Sequence, residues 1–389
     1  MTRPVRDGLD LTEEQREFVA LARDFAAREI RPRARAVDEA DTESPLDLWD
    51  KAARVGLSSY MLPAEYGGGG VTDLVTQCLV QEELCFGDIG IGNFLTSNAF
   101  FAEPVLALGS EEQKKRWITP LTGPRPPVTA VAVTEPGVGS DAASLQTSAV
   151  RDGDHYVLNG QKTWISNAPY AETFIVFATV DPTLRSRGVT AFVVDRSMPG
   201  VTVGRPMRKM GQRGIVNAEV FLGDVRVPVE NRLGEEGMGF YGLMRTFDAS
   251  RILIGAGATG LSRAALDATV AYAHERTQFG RPIIEHQAVA FRLADMAART
   301  DVSHLVTLRA ARLFDAGIPC SAESAIAKLT ASENTTRVAD AALQTHGGWG
   351  YSREFFPEKW LRDAKLEELE EGTSDIQRLI ISRSLTATS

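Results

Sequence analysis

The chain has 389 residues, 43% hydrophobic and 24% charged, with a formal net charge of −9. That composition builds a globular protein with a sizeable core, and its acidity makes nucleic acid and membrane surfaces poor partners. Three cysteines (Cys78, Cys85, Cys320) and five scattered histidines show neither disulfide nor zinc spacing, which fits a reduced, cytoplasmic setting. Residues 1–10 contain no apolar segment, so no signal peptide is expected. The longest apolar run, 252–261, is about half of what a membrane span requires.

Three blocks with different periods follow one another. Up to residue 123 the pattern is helical. Thr12 with Gln15 reads as a capping box, Phe18, Leu21 and Phe25 share a helix face, and Pro32 lies where that helix should weaken or stop. Tyr66 and Gly67–Gly70 read as a loop, after which residues 73–86 and 110–121 read as helices again. From 124 to 233 the period changes to two. Residues 146–150, 155–158, 162–166, 173–180, 189–195 and 219–227 read as strands of an antiparallel β-domain. Asp152–Gly153 and Asn159–Gly160 each carry a hairpin signal. From 234 to 389 the chain is helical again, with long helices over 240–273, 284–316 and 323–344. Helices, sheet, helices in that order define an α+β chain and argue against a doubly wound fold.

One motif misleads. Gly255-Ala-Gly257-Ala-Thr-Gly260 matches a dinucleotide-binding fingerprint, and Glu275 lies at the expected distance. No strand precedes it and no βαβ unit follows. The small residues are expected instead to let long helices approach closely.

Four segments can carry chemistry. TEPGVGSD (134–141) is a loop whose glycines free backbone N–H groups to face a ligand, although an ordinary glycine turn reads the same way. In 159–167, Trp164 and Ser166 share one side of a strand, an aromatic plane beside a hydroxyl that suits a flat heterocycle or, equally, a sheet core. Arg276 to Pro282 forms a turn whose arginines could grip a phosphate or simply be solvated. In 366–378, LEELEEGTSDIQR, Gly372 ends one helix and Thr373 or Ser374 caps the next. Glu371 then stands at a chain reversal, where a carboxylate projects into a cleft or joins a solvated acidic face.

Together with QTHGGWGY (344–351), these segments, in this order and over almost the whole chain, resemble the acyl-CoA dehydrogenase family. The resemblance implies an N-terminal α-helical domain (1–123), a middle antiparallel β-domain (124–233) and a C-terminal four-helix bundle (234–389). It implies FAD, an acyl-CoA substrate, an electron-transfer flavoprotein as acceptor, and a homotetramer with FAD sites shared between subunits. Val131, Val133, Thr134 and Ser140 would line the flavin, Trp164 would lie against its ring and Ser166 at its N5 edge. Arg276, Gln278 and Phe279 would contact the FAD of a neighbouring subunit, and Gln344, Gly347 and Gly348 its adenine end. Thr373 and Asp375 would also touch FAD. Ser140, Phe247, Asp248, Arg251 and Gly372 would meet the substrate. Glu371 would be the catalytic base, taking a proton from C2 while C3 gives a hydride to flavin N5. The thioester oxygen would be stabilised by the backbone N–H of Glu371 and a ribityl hydroxyl. Subfamilies that carry the base on the long helix do so at the position of Ser250, and serine cannot serve.

Where relatives commonly have Tyr or a small residue before the base, this chain has Glu370, expected either to alter the mouth of the acyl pocket or to face solvent. Phe100 and Phe101 fall in the helix that ends that pocket and are expected to shorten it. Intact Glu371 and Arg251 favour desaturation over a flavin oxidase or monooxygenase on the same fold. They do not separate a CoA thioester from a carrier-protein thioester. The net charge argues against a non-enzymatic nucleic-acid-binding relative.

Overall fold

The computed structural model describes residues 11–386; residues 1–10, on which the signal-peptide expectation falls, lie outside the described residues. The N-terminal block is α1 (Glu13–Phe25), α2 (Ala34–Ala40), α3 (Leu46–Arg54), α4 (Leu74–Gly87), α5 (Ile89–Leu108) and α6 (Glu111–Ile118). The capping box forms as expected: the Gln15 amide donates to Thr12 Oγ1 (3.2 Å) and the Thr12 amide to Gln15 Oε1 (2.9 Å). Pro32 does not stop the helical path. It sits in a 3-10 turn, Arg31–Arg33, at a position with no intrahelical N–H to lose, and the chain runs on into α2. Asp88 separates α4 from α5 by accepting the Ile91 amide at 3.0 Å.

The middle block is an eight-stranded sheet in the order β6-β7-β3-β2-β4-β5-β8, with β1 paired to β4. Its strands are β1 (Thr129–Ala132), β2 (Ser148–Asp152), β3 (His155–Ser166), β4 (Thr173–Thr179), β5 (Val189–Asp195), β6 (Val201–Val203), β7 (Asn217–Pro228) and β8 (Arg232–Leu233). The pairing is antiparallel except that β1 runs parallel to β4 and β2 touches β4 in parallel at Ser148–Thr179. Those two contacts join strands that no hairpin connects. The predicted hairpin between β2 and β3 forms, with Asp152 paired to His155 and Gly153–Asp154 as its turn. Asn159–Gly160 does not: β3 passes straight through it with a shift in register against β7. Glycine is needed there for close approach, since a Cβ on Gly160 would lie 2.5 Å from Thr147 Oγ1.

β4 is buried along its whole length. Phe174, Val176 and Ala178 face a core shared with Tyr156, Phe192 and Val220. Ile175 and Phe177 face the opposite way, onto Phe101, Val105 and Leu243 of the helices. The sheet is therefore clamped onto α5 and the start of the long helix that follows it.

The C-terminal block comprises α7 (Gly239–Glu275), the short hairpin β9 (Thr277–Gln278) and β10 (Arg281–Pro282), then α8 (Gln287–Asp315), α9 (Ser321–His346), α10 (Pro357–Glu367) and α11 (Ser374–Thr386). The Gly255–Gly260 motif lies wholly inside α7. A Cβ on Gly260 would meet the Glu82 carbonyl of α4 at 2.3 Å, and one on Gly255 would meet Thr307 Oγ1 of α8 at 2.8 Å. These glycines are contact points between helices, as their setting predicts. No helix among the described residues is long and apolar enough to cross a membrane.

Candidate active site

The reversal between α10 and α11 is built from two consecutive positive-φ residues, Glu371 (51°) and Gly372 (91°). A non-glycine residue in that region is strained, and such strain persists only where the surroundings hold it. Three elements do so. Arg251 Nε of α7 donates to the Glu371 carbonyl at 3.3 Å. Lys328 Nζ of α9 donates to the Gly372 carbonyl at 3.0 Å. Gln377 Nε2 of α11 donates to both carbonyls, at 3.2 and 2.8 Å. Thr373 Oγ1 receives the Ile376 amide at 3.4 Å and caps α11.

The Glu371 side chain turns toward α7, where Ser250 Oγ donates to its Oε2 at 2.9 Å. Burial pushes this carboxyl up to about 7. The Ser250 hydrogen bond and the charges of Arg251 and Lys328 pull it down, and Glu370 pushes it up. The Arg251 guanidinium is itself buried, lies 5.4 Å from the Phe247 ring centroid and reaches Asp248 at 3.4 Å. Asp248 in turn accepts from Ser321 Oγ at 2.6 Å. Phe247, Asp248, Ser250, Arg251, Glu371 and Gly372 are thus brought to one place, although α7 and the reversal are far apart in the sequence.

The β-domain supplies an open face. Trp164 has φ 59° at a shift in the β3–β7 register and is 57% exposed. Ser166 is also exposed, while Ile165 between them is buried, so the pair shares one side as alternation predicts. Asn217 Nδ2 donates to the Trp164 carbonyl (2.9 Å) and to Ser166 Oγ (3.1 Å). The neighbouring loop is braced from behind by a buried pair that sequence reading did not single out. Lys162 Nζ donates to Glu135 Oε1 (2.8 Å) and to the Val133 carbonyl (3.0 Å), and Glu135 accepts the Gln146 and Thr147 amides at 2.7 and 2.9 Å. Both partners shift downward. Burial pushes Glu135 up, but Lys162 and the two amides outweigh it; burial takes Lys162 down to about 8 despite Glu135. Val131, Val133 and Thr134 are half-buried and Ser140 is exposed. Gly137 and Gly139 have nothing within 4 Å of an added Cβ. An accessible indole, an exposed hydroxyl and a bare backbone loop fit a flat, hydrogen-bonding ring such as a flavin.

A second recess lies at the ends of α7 and α9. Its volume is about 560 Å³, and Tyr272, Arg276, Gln278, His346, Gly347 and Gly348 are among its lining residues. The structure therefore brings the Arg276 turn and the Gly347–Gly348 bend together within one chain. Gln344 is exposed on the last turn of α9, and Phe279, 94% exposed, stands at the tip of the β9–β10 hairpin. Asp375 is exposed in the first turn of α11. Phe101 is buried in the core against Val105 and Leu243, while Phe100 beside it is half-buried.

Glu370 requires a correction. It does not face solvent: its Oε1 is enclosed and has no hydrogen-bond donor. The side chain turns inward toward Glu367, Lys328 and Lys209. A run of acids that reads as a solvated face is folded inside because α10 lies between two buried or half-buried lysines.

Three family models match the chain: the acyl-CoA dehydrogenase N-terminal domain over residues 12–123, the middle domain over 130–225 and the C-terminal domain over 237–386. A probable acyl-CoA dehydrogenase, YngJ, of Bacillus subtilis is 44% identical over 97% of this chain and 99% of its own length. The human mitochondrial short-chain specific acyl-CoA dehydrogenase is 40% identical over 98% of this chain and 92% of its own. A chain in a structure of the electron transferring flavoprotein of Acidaminococcus fermentans superposes with a TM-score of 0.94 at 38% identity, covering 98% of this chain and 100% of that one. Fold and site define an oxidoreductase acting on a CH–CH group with FAD as its cofactor. The chain belongs to the acyl-CoA dehydrogenase family.

Proposed function

We propose that this enzyme desaturates an acyl-CoA thioester between C2 and C3, with Glu371 as the base. The observation that carries the reading is the Glu371 carboxyl itself. It is held on a strained reversal by Arg251, Lys328 and Gln377, aimed by Ser250, and pushed by burial up to about 7. A base works best when its proton affinity matches the working pH. An alkyl C2–H is a very weak acid, so the thioester oxygen needs donors as it gains charge, and we assign the Glu371 backbone N–H as one of them.

FAD, when bound, accepts the hydride leaving C3. We assign Trp164 to the face of its ring, Ser166 to its edge, and Val131, Val133, Thr134 and Ser140 to its lining. Thr373 and Asp375 complete the contacts from the reversal. Arg276, Gln278, Phe279, Gln344, Gly347 and Gly348 hold the pyrophosphate and adenine portions, across subunits of a homotetramer. Phe247, Asp248, Arg251 and Gly372 orient the thioester arm.

Likeness to a short-chain specific relative supports a short acyl chain. Likeness to a chain from an electron transferring flavoprotein structure supports such a protein as the electron acceptor. Free, buried Cys78, Cys85 and Cys320 fit a reducing, cytoplasmic compartment. The test is anaerobic bleaching of the yellow enzyme with a panel of acyl-CoA thioesters. Wild type is expected to bleach fastest with short chains, and Glu371→Gln to slow bleaching by about 10²-fold or more. Full-speed reduction by Glu371→Gln would end this reading.

A further inference from the structure

Behind the base lies a second acid site. Glu367 is the last residue of α10, and Glu370 lies in the turn that follows it, where its amide donates to the Leu366 carbonyl at 3.0 Å. Glu367 is fully buried, and its Oε1 accepts from Gln212 Nε2. Its Oε2 and the Oε1 of Glu370 are both enclosed with no outside donor. Two carboxylates in contact, each with an oxygen lacking any other donor, cannot both stay charged in a dry site. One proton between them satisfies both. Burial, foremost, and mutual repulsion push Glu367 well above the ordinary range, and burial raises Glu370.

Two lysines bracket the pair. Lys328 is fully buried, faces both acids and donates to the Gly372 carbonyl beside the base. Lys209, on the approach to β7, faces Glu370 and donates to Asn217 Oδ1 at 2.6 Å. Asn217 is the residue that donates to Ser166 Oγ and the Trp164 carbonyl. The pair therefore sits between the reversal that carries Glu371 and the strand that carries Trp164 and Ser166.

We propose that Glu367 and Glu370 form a one-proton carboxyl pair, clamped by Lys328 and Lys209, that positions the Glu371 reversal and strengthens the hold of Glu371 on its proton. The negative charge kept at Glu370 acts directly on its neighbour. The other groups facing Glu371 are Ser250 and Arg251 of α7, Lys328 of α9 and Gln377 of α11. The pair itself also feels Gln212, with Asp363 acting through Lys209. Glu370 is thus a positioning residue, and it acts through Glu371.

The inference rests on Glu371 being the base, and the experiment separates the two. Flavin reduction by a saturating acyl-CoA is followed anaerobically against pH in the wild-type holoenzyme, E370Q and E367Q/E370Q. The rate rises with pH as the base loses its proton. In E370Q the charge withdraws to Glu367, so the midpoint is expected to move to lower pH by about threefold in proton affinity, and further in the double variant. An unmoved midpoint in both overturns the pair while leaving Glu371→Gln to judge the base. Thermal unfolding of the holoenzymes is a second readout. A shared proton is held more tightly folded than unfolded, so wild type must lose stability relative to E367Q/E370Q as pH rises from 5 to 8. A constant difference across that range also overturns the proposal.

Discussion

Ser250 Oγ donates a 2.9 Å hydrogen bond to Glu371 Oε2 across 121 positions of sequence, from the middle of α7 to the α10–α11 reversal. That bond favours the charged carboxylate, opposing the burial that pushes Glu371 up to about 7. Ser250→Ala should therefore move the rising limb of flavin reduction to higher pH by roughly one to two units, because a hydrogen bond to a charged group is worth about 1.5–3 kcal/mol. The plateau rate at high pH should change little. A stopped-flow pH series measures both, and an unshifted limb would contradict this role.

Glu371 has a second pH signature. Its folded form holds the proton more tightly than the unfolded chain, so it lowers stability progressively as pH climbs from the ordinary carboxylate range through about 7. Glu371→Gln should melt higher than wild type at pH 8, and the gap should close near pH 5. Calorimetry of both proteins at the two pH values checks the sign.

Gly372 has φ 91°, and an added Cβ would lie 3.0 Å from Gln377 Nε2 and 3.1 Å from Ile376 Cγ2. Gly372→Ala should cost about 1–2 kcal/mol of stability through left-handed strain alone. It also displaces the Gln377 amide that holds the Glu371 carbonyl. We expect kcat to fall about tenfold with little change in KM, since misplacing a reacting group reduces rate more than binding. Equal losses in both parameters would point to substrate binding instead.

Glu135→Gln leaves the fully buried Lys162 without its carboxylate. Breaking a buried pair from one side costs about 3–5 kcal/mol, and here it also loosens the Val133–Thr134 backbone that borders the proposed flavin face. The variant should melt several degrees lower and retain less flavin per chain after gel filtration. Glu135 lies below its ordinary range, so its stabilisation is present above the unfolded carboxylate value and is lost as acid protonates it. The difference between wild type and variant should shrink in strong acid.

Local signals carried far in this chain. The Thr12–Gln15 box, the Asp152–Gly153 hairpin and the glycine break after Glu371 each depend on residues within a few positions of one another, and all three form. Asn159–Gly160 carried the same hairpin signal and misled, because its glycine answers to Thr147, just ahead of β2. The chain reversal at Glu371 was legible from its setting between a helix end and a cap, but that setting left its carboxylate facing a cleft or solvent, and only the family resemblance singled it out. Ser250 was read only as the absence of an alternative base, and nothing nearby in sequence announces that it aims the carboxyl. Glu370 was left between the pocket mouth and solvent for a similar reason: its partners Lys328 and Lys209 lie on separate elements, and only tertiary packing brings them together.

The clamping of the sheet onto α5 and α7 has a consequence for how such an enzyme can change. Phe101 is committed to the interdomain core, where enlargement or loss would disturb packing on both sides, whereas half-buried Phe100 beside it is not. The Glu371 reversal is braced by hydrogen bonds from α7, α9 and α11, and Phe100 makes none of them. On the proposed function, substitution at Phe100 should therefore change acyl preference while leaving the interdomain core in place.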